Sequence, residues 1–173
     1  MKNNAKMKIV TLDAKYINYL SQFDSRVCYN KDGNHTRPYI GVVFALRNFE
    51  YFAPLTSSGK GKKLISKPKN ESITFYPIDN CNLGGINLNN MIPITNNVVN
   101  SLNLNVTSQD SKSEMKYKIL LMQQLNFCNA HEKEIRTKAN KIYAMKTQNK
   151  LFPNYDSITC DFKLLESKAK QYK

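Results

Sequence analysis

The sequence predicts an α+β protein, with an antiparallel sheet built from the first part of the chain and helices from the last part packed on it. Three observations carry this. Short apolar runs separated by turn residues fill residues 7–106, and the apolar spacing changes to a helical period after Ser113. Strands and helices also do not alternate, as they would in a βαβ fold. At 173 residues the chain suits a single domain, 1–173, with a core of its own.

The elements follow in order. Met7-Lys-Ile-Val-Thr-Leu alternates as a short strand, and Asp13 is placed to cap a helix whose Tyr16, Leu20 and Phe23 share one face. Residues 24–37 are polar, with Asn30-Lys-Asp-Gly-Asn-His-Thr-Arg as a loop. Tyr39-Ile-Gly-Val-Val-Phe-Ala-Leu has the strongest strand pattern, and Arg47-Asn-Phe-Glu turns it back into Tyr51-Phe-Ala, giving a hairpin. Pro54 is expected to end regular pairing there. Ser66 to Glu71 reads as a connection and Ser72-Ile-Thr-Phe-Tyr-Pro-Ile as a further strand. Gly84-Gly-Ile-Asn-Leu and Met91-Ile-Pro-Ile supply two short strands, Pro93 assigning the second to an edge or a bulge. Tyr117, Leu121, Leu125 and Cys128 form a helical apolar stripe assigned to the core, capped by Ser113 or a neighbour. Ile135, Ala139 and Ile142 continue the helical period, and Cys160-Asp-Phe-Lys-Leu-Leu-Glu closes as a short strand or a helical tail.

Lys and Arg number 26 against 13 Asp and Glu, a formal net charge of +13. Such an excess repels itself in the compact state unless a polyanion lies beside it. Nucleic acid is the first candidate partner and an anionic membrane surface the second. No run approaches the roughly 18 apolar residues of a spanning helix. Met1-Lys-Asn-Asn-Ala-Lys has no apolar signal region behind it. An unexported, cytoplasmic protein is therefore expected, with no membrane partner. Cys28, Cys81, Cys128 and Cys160 are scattered without a C-x-x-C pair and read as reduced, small buried hydrophobes. His35 and His131 are the only histidines, and no His, Cys or carboxylate cluster has ligand spacing, so neither metal nor cofactor is expected. A two-metal nuclease is correspondingly disfavoured.

Tyr51-Phe-Ala-Pro-Leu-Thr-Ser-Ser-Gly-Lys-Gly-Lys-Lys is the stretch that carries chemistry. It puts hydroxyls, glycine backbone and ammonium groups in one small volume, which is equipment for holding a phosphate. Taken alone, a Thr-Ser pair after a strand is an ordinary turn, and lysines 60, 62, 63, 67 and 69 form a solvated run. Lys133, Arg136, Lys138, Lys141 and Lys146 give the late helical region a basic surface, either merely solvated or the wall of an RNA groove. His35 is assigned to its loop and His131 to surface structure.

Arg37-Pro-Tyr-Ile-Gly-Val-Val, the Tyr51 to Lys62 segment and Gly85-Ile-Asn-Leu-Asn-Asn-Met-Ile-Pro-Ile occur in that order. With Tyr16-Ile-Asn-Tyr-Leu, Tyr117-Lys-Ile-Leu-Leu-Met-Gln-Gln-Leu-Asn-Phe and Cys160-Asp-Phe-Lys-Leu-Leu-Glu-Ser-Lys they cover nearly the whole chain. Segment by segment the chain resembles the endoribonuclease toxins of type III toxin–antitoxin and abortive-infection systems, the ToxN/AbiQ family. The resemblance implies a strongly twisted antiparallel sheet, related to the Kid/MazF toxins, packed by several helices. It implies metal-independent cleavage of cellular or phage RNA, leaving 2′,3′-cyclic phosphate and 5′-hydroxyl ends. It also implies a partner: a small repeat RNA antitoxin whose folded units bind and inhibit the toxin, protein and RNA alternating in a closed assembly.

Residue by residue, Thr56 and Ser57 fall on the family's Thr/Ser pair after Ala-Pro-Leu. The family then usually has Pro-Lys where this chain has Ser58-Gly59-Lys60, one residue more. Lys60 is the natural match to the active-site lysine, and Lys62 stays open. Arg37 stands where the family places a basic residue before its strand, and Tyr16 matches a tyrosine near the site. Tyr29 and His35 lie in a loop too variable to transfer. The catalytic set is thus Thr56, Ser57, Lys60, Arg37 and Tyr16, and the RNA-binding set Ser58, Lys62, Lys63, Lys67, Arg136, Lys138 and Lys141. In metal-free cleavage the 2′-oxygen attacks the adjacent phosphorus while fixed donors stabilise the phosphoryl oxygens. Lys and Arg supply charge, the hydroxyls fix position, and the proton acceptor and donor stay open between Tyr, Lys and positioning alone. A non-catalytic RNA-binding protein and a basic membrane-surface protein explain the charge equally well. Neither explains the ordered segments.

Overall fold

The computed structural model describes residues 6–28, 37–46, 49–60, 73–95 and 97–172. Among the described residues seven strands form one antiparallel sheet: β1 (Lys8–Leu12), β2 (Tyr39–Ala45), β3 (Glu50–Thr56), β4 (Phe75–Pro77), β5 (Gly85–Asn87), β6 (Ile92–Ile94) and β7 (Val99–Ser101). The order is β4-β5-β3-β2-β1-β7, and β6 pairs with β3 alongside β5. The helices are α1 (Ala14–Ser21), α2 (Lys112–Ala130), α3 (Glu132–Thr147), α4 (Pro153–Asp156) and α5 (Phe162–Gln171).

β2 and β3 form the expected hairpin, Tyr39 opposite Pro54 and Gly41 opposite Phe52, with a register shift between Gly41 and Phe44. Contrary to expectation, Pro54 does not end the pairing: β3 runs on through Thr56. The reason lies in which edge of β3 lacks a donor. Leu55 N donates to Pro38 O at 3.0 Å, so Ala53 and Leu55 turn their backbone groups toward β2 and Pro54 turns its toward the other side. There β6 pairs with residues 50–52 and β5 with 55–56, the 3₁₀ turn Leu88–Asn90 falling between them. Pro54 thus sits where the neighbouring chain leaves the ladder, and its missing N–H costs no sheet hydrogen bond.

Asp13 caps α1 by accepting from Lys15 N at 2.8 Å. α2 starts at Ser111, whose hydroxyl accepts from Glu114 N while Glu114 accepts from Ser111 N, a reciprocal capping box. The C-terminal segment is helical, with Asp161 accepting from Leu164 N. Between the sheet and α3 and α5 lies an aromatic cluster of Phe44, Tyr51, Tyr143 and Phe162. Within it Glu166 Oε1 accepts from Tyr51 at 2.9 Å and Tyr143 at 2.6 Å, and its Oε2 accepts from Lys163 Nζ at 3.1 Å, so two phenols and an ammonium satisfy a buried carboxyl group. Tyr117 departs from its expected core place: it is exposed on α2, as are Ile119 and Met122, while Leu121 is buried. Among the described residues no helix is long and apolar enough to cross a membrane.

Candidate active site

Arg37 precedes β2 and Thr56 ends β3. The β2–β3 register pairs Tyr39 with Pro54, and Pro38 with Leu55 through their hydrogen bond. Continued by one residue it sets Arg37 across from Thr56 in a non-hydrogen-bonded position, where Cα atoms stand about 4.5 Å apart and side chains share a face. On its other side Thr56 pairs with Gly85 of β5. Thr56 is buried, Ser57 beyond it is exposed, and residues 58–60 turn helical, with Ser58 half-buried and Lys60 exposed. The strand therefore holds one hydroxyl rigidly and presents the next to solvent.

Arg37 is half-buried, and its Nε is sealed from solvent with no hydrogen-bond partner among the described residues. An orphaned guanidinium donor of this kind is costly unless an acceptor arrives. Burial pushes the Cys28 thiol up from its ordinary value, and the charges of Arg37 and Lys60 both act to lower it. Cys28 is half-buried and its carbonyl accepts from the Tyr39 hydroxyl at 3.0 Å. Expected to be a buried hydrophobe, it instead stands beside the candidate site.

The wall that carries Cys28 is pinned by a buried carboxylate. Asp24 accepts from Arg26 Nε at 2.8 Å, Arg26 N at 3.0 Å and Asp161 N at 2.7 Å, while Asn90 Nδ2 donates to Arg26 O at 2.8 Å. Burial works to raise the Asp24 carboxyl, but these hydrogen bonds and the Arg26 charge prevail and hold it below its usual range. On the opposite side stands Gly84, with φ +95°; a Cβ there would overlap the Thr56 carbonyl oxygen and lie 3.4 Å from Ser57 C. Neither Asp24 nor Gly84 is marked in the sequence by more than residue type.

Tyr16 requires correction. It is fully buried, its hydroxyl donates to Pro93 O at 2.7 Å, and its ring packs edge-on against Tyr172. Pro93 lies opposite Tyr51, five residues before Thr56, which along a strand is about 17 Å. Burial drives its phenol far above the ordinary value. Tyr16 is a core residue with no route to a phosphodiester. Two cations of the RNA-binding set already have partners within the protein. Arg136 is paired with Glu132 at 2.7 Å within α3, and Lys138 donates to Phe75 O at 2.7 Å with its ammonium 5.9 Å from the Tyr76 ring centroid, fastening β4 to α3. Lys141 is exposed. Lys62, Lys63 and Lys67, like Tyr29 and His35, lie outside the described residues. His131 is structural, stacked on Phe127 with Nδ1 2.9 Å from Phe127 O.

The corner thus gathers cations and hydroxyls at the ends of two strands. Among the described residues no three His, Cys, Asp or Glu side chains are placed to hold a metal ion. The donor set of the corner is suited to an anion of tetrahedral oxygens.

Comparison with known proteins agrees with this chemistry. The family described as Toxin ToxN, type III toxin-antitoxin system, matches residues 8–170. Endoribonuclease ToxN of Bacillus thuringiensis subsp. kurstaki is 31% identical over 179 residues, covering 100% of this chain and 88% of the relative. The solved structure of AbiQ, a lactococcal anti-phage endoribonuclease belonging to the type-III toxin-antitoxin system, superposes with a TM-score of 0.80 at 29% identity, over 97% of this chain and 98% of that one. A structure from work on selective toxin inhibition by a non-coding RNA pseudoknot gives a TM-score of 0.74 at 28% identity, over 97% of this chain and 98% of that one.

Proposed function

The chain belongs to the ToxN toxin family of type III toxin–antitoxin systems, and we propose that it is a metal-independent endoribonuclease, one domain acting in the cytoplasm on cellular or phage RNA. The scissile phosphate sits at the corner formed by Arg37, Thr56, Ser57 and Lys60. The observation that carries this reading is the buried Arg37 Nε without an acceptor among the described residues, on the strand beside Thr56. A non-bridging phosphate oxygen supplies the missing acceptor, and a guanidinium fork matches two such oxygens.

The proposed chemistry is the one the family resemblance implies, and the placement of these groups is compatible with it. The 2′-oxygen attacks phosphorus, the bond to the 5′-oxygen breaks, and the products carry a 2′,3′-cyclic phosphate and a 5′-hydroxyl. Charge gathering on the phosphoryl oxygens in the transition state is met by Arg37 and Lys60, while the Thr56 and Ser57 hydroxyls fix the phosphate. Tyr16 takes no part in moving protons. A relative's structure concerns toxin inhibition by a non-coding RNA pseudoknot. By the same logic a folded repeat RNA laid into this corner satisfies Arg37 Nε and blocks substrate.

The test is cleavage of RNA by purified protein in EDTA. Cleavage is expected to continue undiminished, with ends that resist ligation requiring a 5′-phosphate. Ser57→Ala and Lys60→Ala are each expected to slow it by roughly 100- to 1000-fold, as loss of one transition-state donor does. Activity that vanishes in EDTA and returns with magnesium or manganese overturns the mechanism. RNA that is retarded but never cut points to a non-catalytic RNA-binding protein.

A further inference from the structure

We propose that Gln124 is a positioning residue for this nuclease: from inside α2 it clamps the turn 78–84, and through Gly84 it sets the place of Thr56 and Ser57. The proposal rests on the reading of that corner as the active site. Gln124 is 3% exposed, and its Nε2 donates to Leu83 O at 2.6 Å. Its Oε1 is buried with no partner among the described residues. A methionine would fill the same space without burying an unpaired oxygen. What the amide adds is its hold on the Leu83 carbonyl.

That hold matters because the turn is strained. Asp79, Asn80 and Cys81 are three successive non-glycine residues with φ of 48°, 48° and 67°. Such conformations persist only where the surroundings over-determine them. Ile78 N closes the turn on Gly84 O at 3.0 Å, and within it Asn82 N donates to Asp79 O at 2.8 Å and Gly84 N to Cys81 O at 3.2 Å, but the bond from Leu83 N to Ile78 O is long, at 3.4 Å. The Leu83 amide thus makes the longest backbone hydrogen bond of the turn, and the Leu83 carbonyl is the one Gln124 takes.

From Leu83 the path to the site is one residue long. Gly84 abuts the Thr56 carbonyl so closely that a Cβ has no room, and Gly85 pairs with Thr56 in the sheet. A shift at Leu83 reaches the catalytic strand end without passing through a flexible side chain. Gln124 itself never meets the substrate.

The experiment compares Gln124→Met, Gln124→Glu and Ser57→Ala in single-turnover cleavage of a short labelled RNA, with RNA binding and thermal midpoint measured alongside. Gln124→Met is expected to fold and to bind RNA within about threefold of wild type, while the rate at saturation falls roughly 10- to 100-fold, the effect of a small misplacement of reacting groups. Gln124→Glu separates a clamp from simple packing. A buried carboxyl has a raised pKa and donates a hydrogen bond only when protonated. Its rate relative to wild type is therefore expected to rise as pH falls from about 8 to about 6, whereas that of Gln124→Met stays flat. Inactive Ser57→Ala beside a Gln124→Met that cleaves at the wild-type rate removes the clamp alone. So does a loss that tracks only the unfolded fraction, or a Gln124→Glu with no relative pH response. Ser57→Ala that cleaves normally removes the site reading, and the clamp with it.

Discussion

Replacing Gly84 by alanine tests whether the Thr56–Ser57 corner is held by backbone contact. Gly84 has φ +95°, and an added methyl carbon would overlap Thr56 O, lie 3.2 Å from Thr56 C and 3.4 Å from Ser57 C. None of these is the far end of a mobile side chain, so relief requires moving the strand end. Left-handed backbone costs a non-glycine residue roughly 1–2 kcal/mol. Crowding a packed contact adds about 1–3 kcal/mol, and the stiffer unfolded chain returns about 0.4–1 kcal/mol. The net expectation is a loss of about 3 kcal/mol, which urea denaturation reads as a lower midpoint at unchanged slope. Activity of the folded fraction is expected to fall as well, by on the order of 100-fold if the hydroxyls move about 1 Å. Gly59→Ala is the matched control: nothing lies within 4 Å of its would-be Cβ, so stability is expected to stay within about 0.5 kcal/mol. Gly84→Ala that melts and cleaves like wild type refutes the contact and the reasoning built on it.

Two further perturbations follow from the surroundings of the site. Asp24 is a carboxylate whose folded pKa lies below its unfolded value, so its stabilisation is full above about pH 4 and is lost as pH falls through the folded value. Asp24→Asn is expected to cost about 2 kcal/mol at pH 7 and to flatten the acid limb of stability, and unfolding curves that stay parallel from pH 7 to about pH 3 would count against it. On α3, Lys141→Ala is expected to lower the slope of log affinity against log salt for folded repeat RNA by up to about 1, while Lys138→Ala instead lowers stability by about 1 kcal/mol through loss of its bond to Phe75 O. Filter binding across salt concentrations and denaturation distinguish the two, and the reverse pattern would place the RNA wall elsewhere.

Local signals in the sequence carried the elements that local chemistry decides. Asp13 caps α1 as its residue type suggests, the β2–β3 hairpin follows its apolar runs, and the helical period in residues 135–142 marks α3. Pro54 misleads because its consequence depends on where the outer partner leaves β3, which is a long-range fact. Tyr117 misleads for the same reason: helical spacing fixes a face but not whether anything covers it. Arg37, Thr56 and Ser57 come from the resemblance to the family, and the hairpin pattern brings their strand ends close. Lys138 and Arg136 look like solvent-facing cations in sequence, yet a carbonyl of β4 and a carboxylate one helical turn away engage them. Cys28 and Gln124 carry no sequence signal at all, because each matters only through groups distant in the chain: Arg37 and Lys60 for one, Leu83 for the other.

The net charge of +13 is a weaker pointer to RNA than it first looks. Part of it already has a use without nucleic acid. Lys8 lies over the Phe52 ring, Lys163 over Tyr143, Lys168 over Phe23 and Lys170 over Phe49, at 4.3–5.7 Å from the centroids. Their alkyl stems cover aromatic surface while the ammonium groups stay near water. Lys118 and Lys146 are spent on Asp110 and Asp156. Any basic protein rich in Tyr and Phe can distribute its cations in this way, so counting them does not single out a polyanion as partner. Arg37 is different in kind. Its Nε is shielded from solvent and has no acceptor among the described residues, so neither hydration nor ion pairing accounts for its place. An acceptor from outside the described residues balances that donor, and the groups beside it are the hydroxyls and the ammonium that suit a phosphodiester. The placement of the phosphate at this corner therefore rests on one desolvated donor in the right company, while the general surplus of positive charge adds only a long-range attraction for RNA.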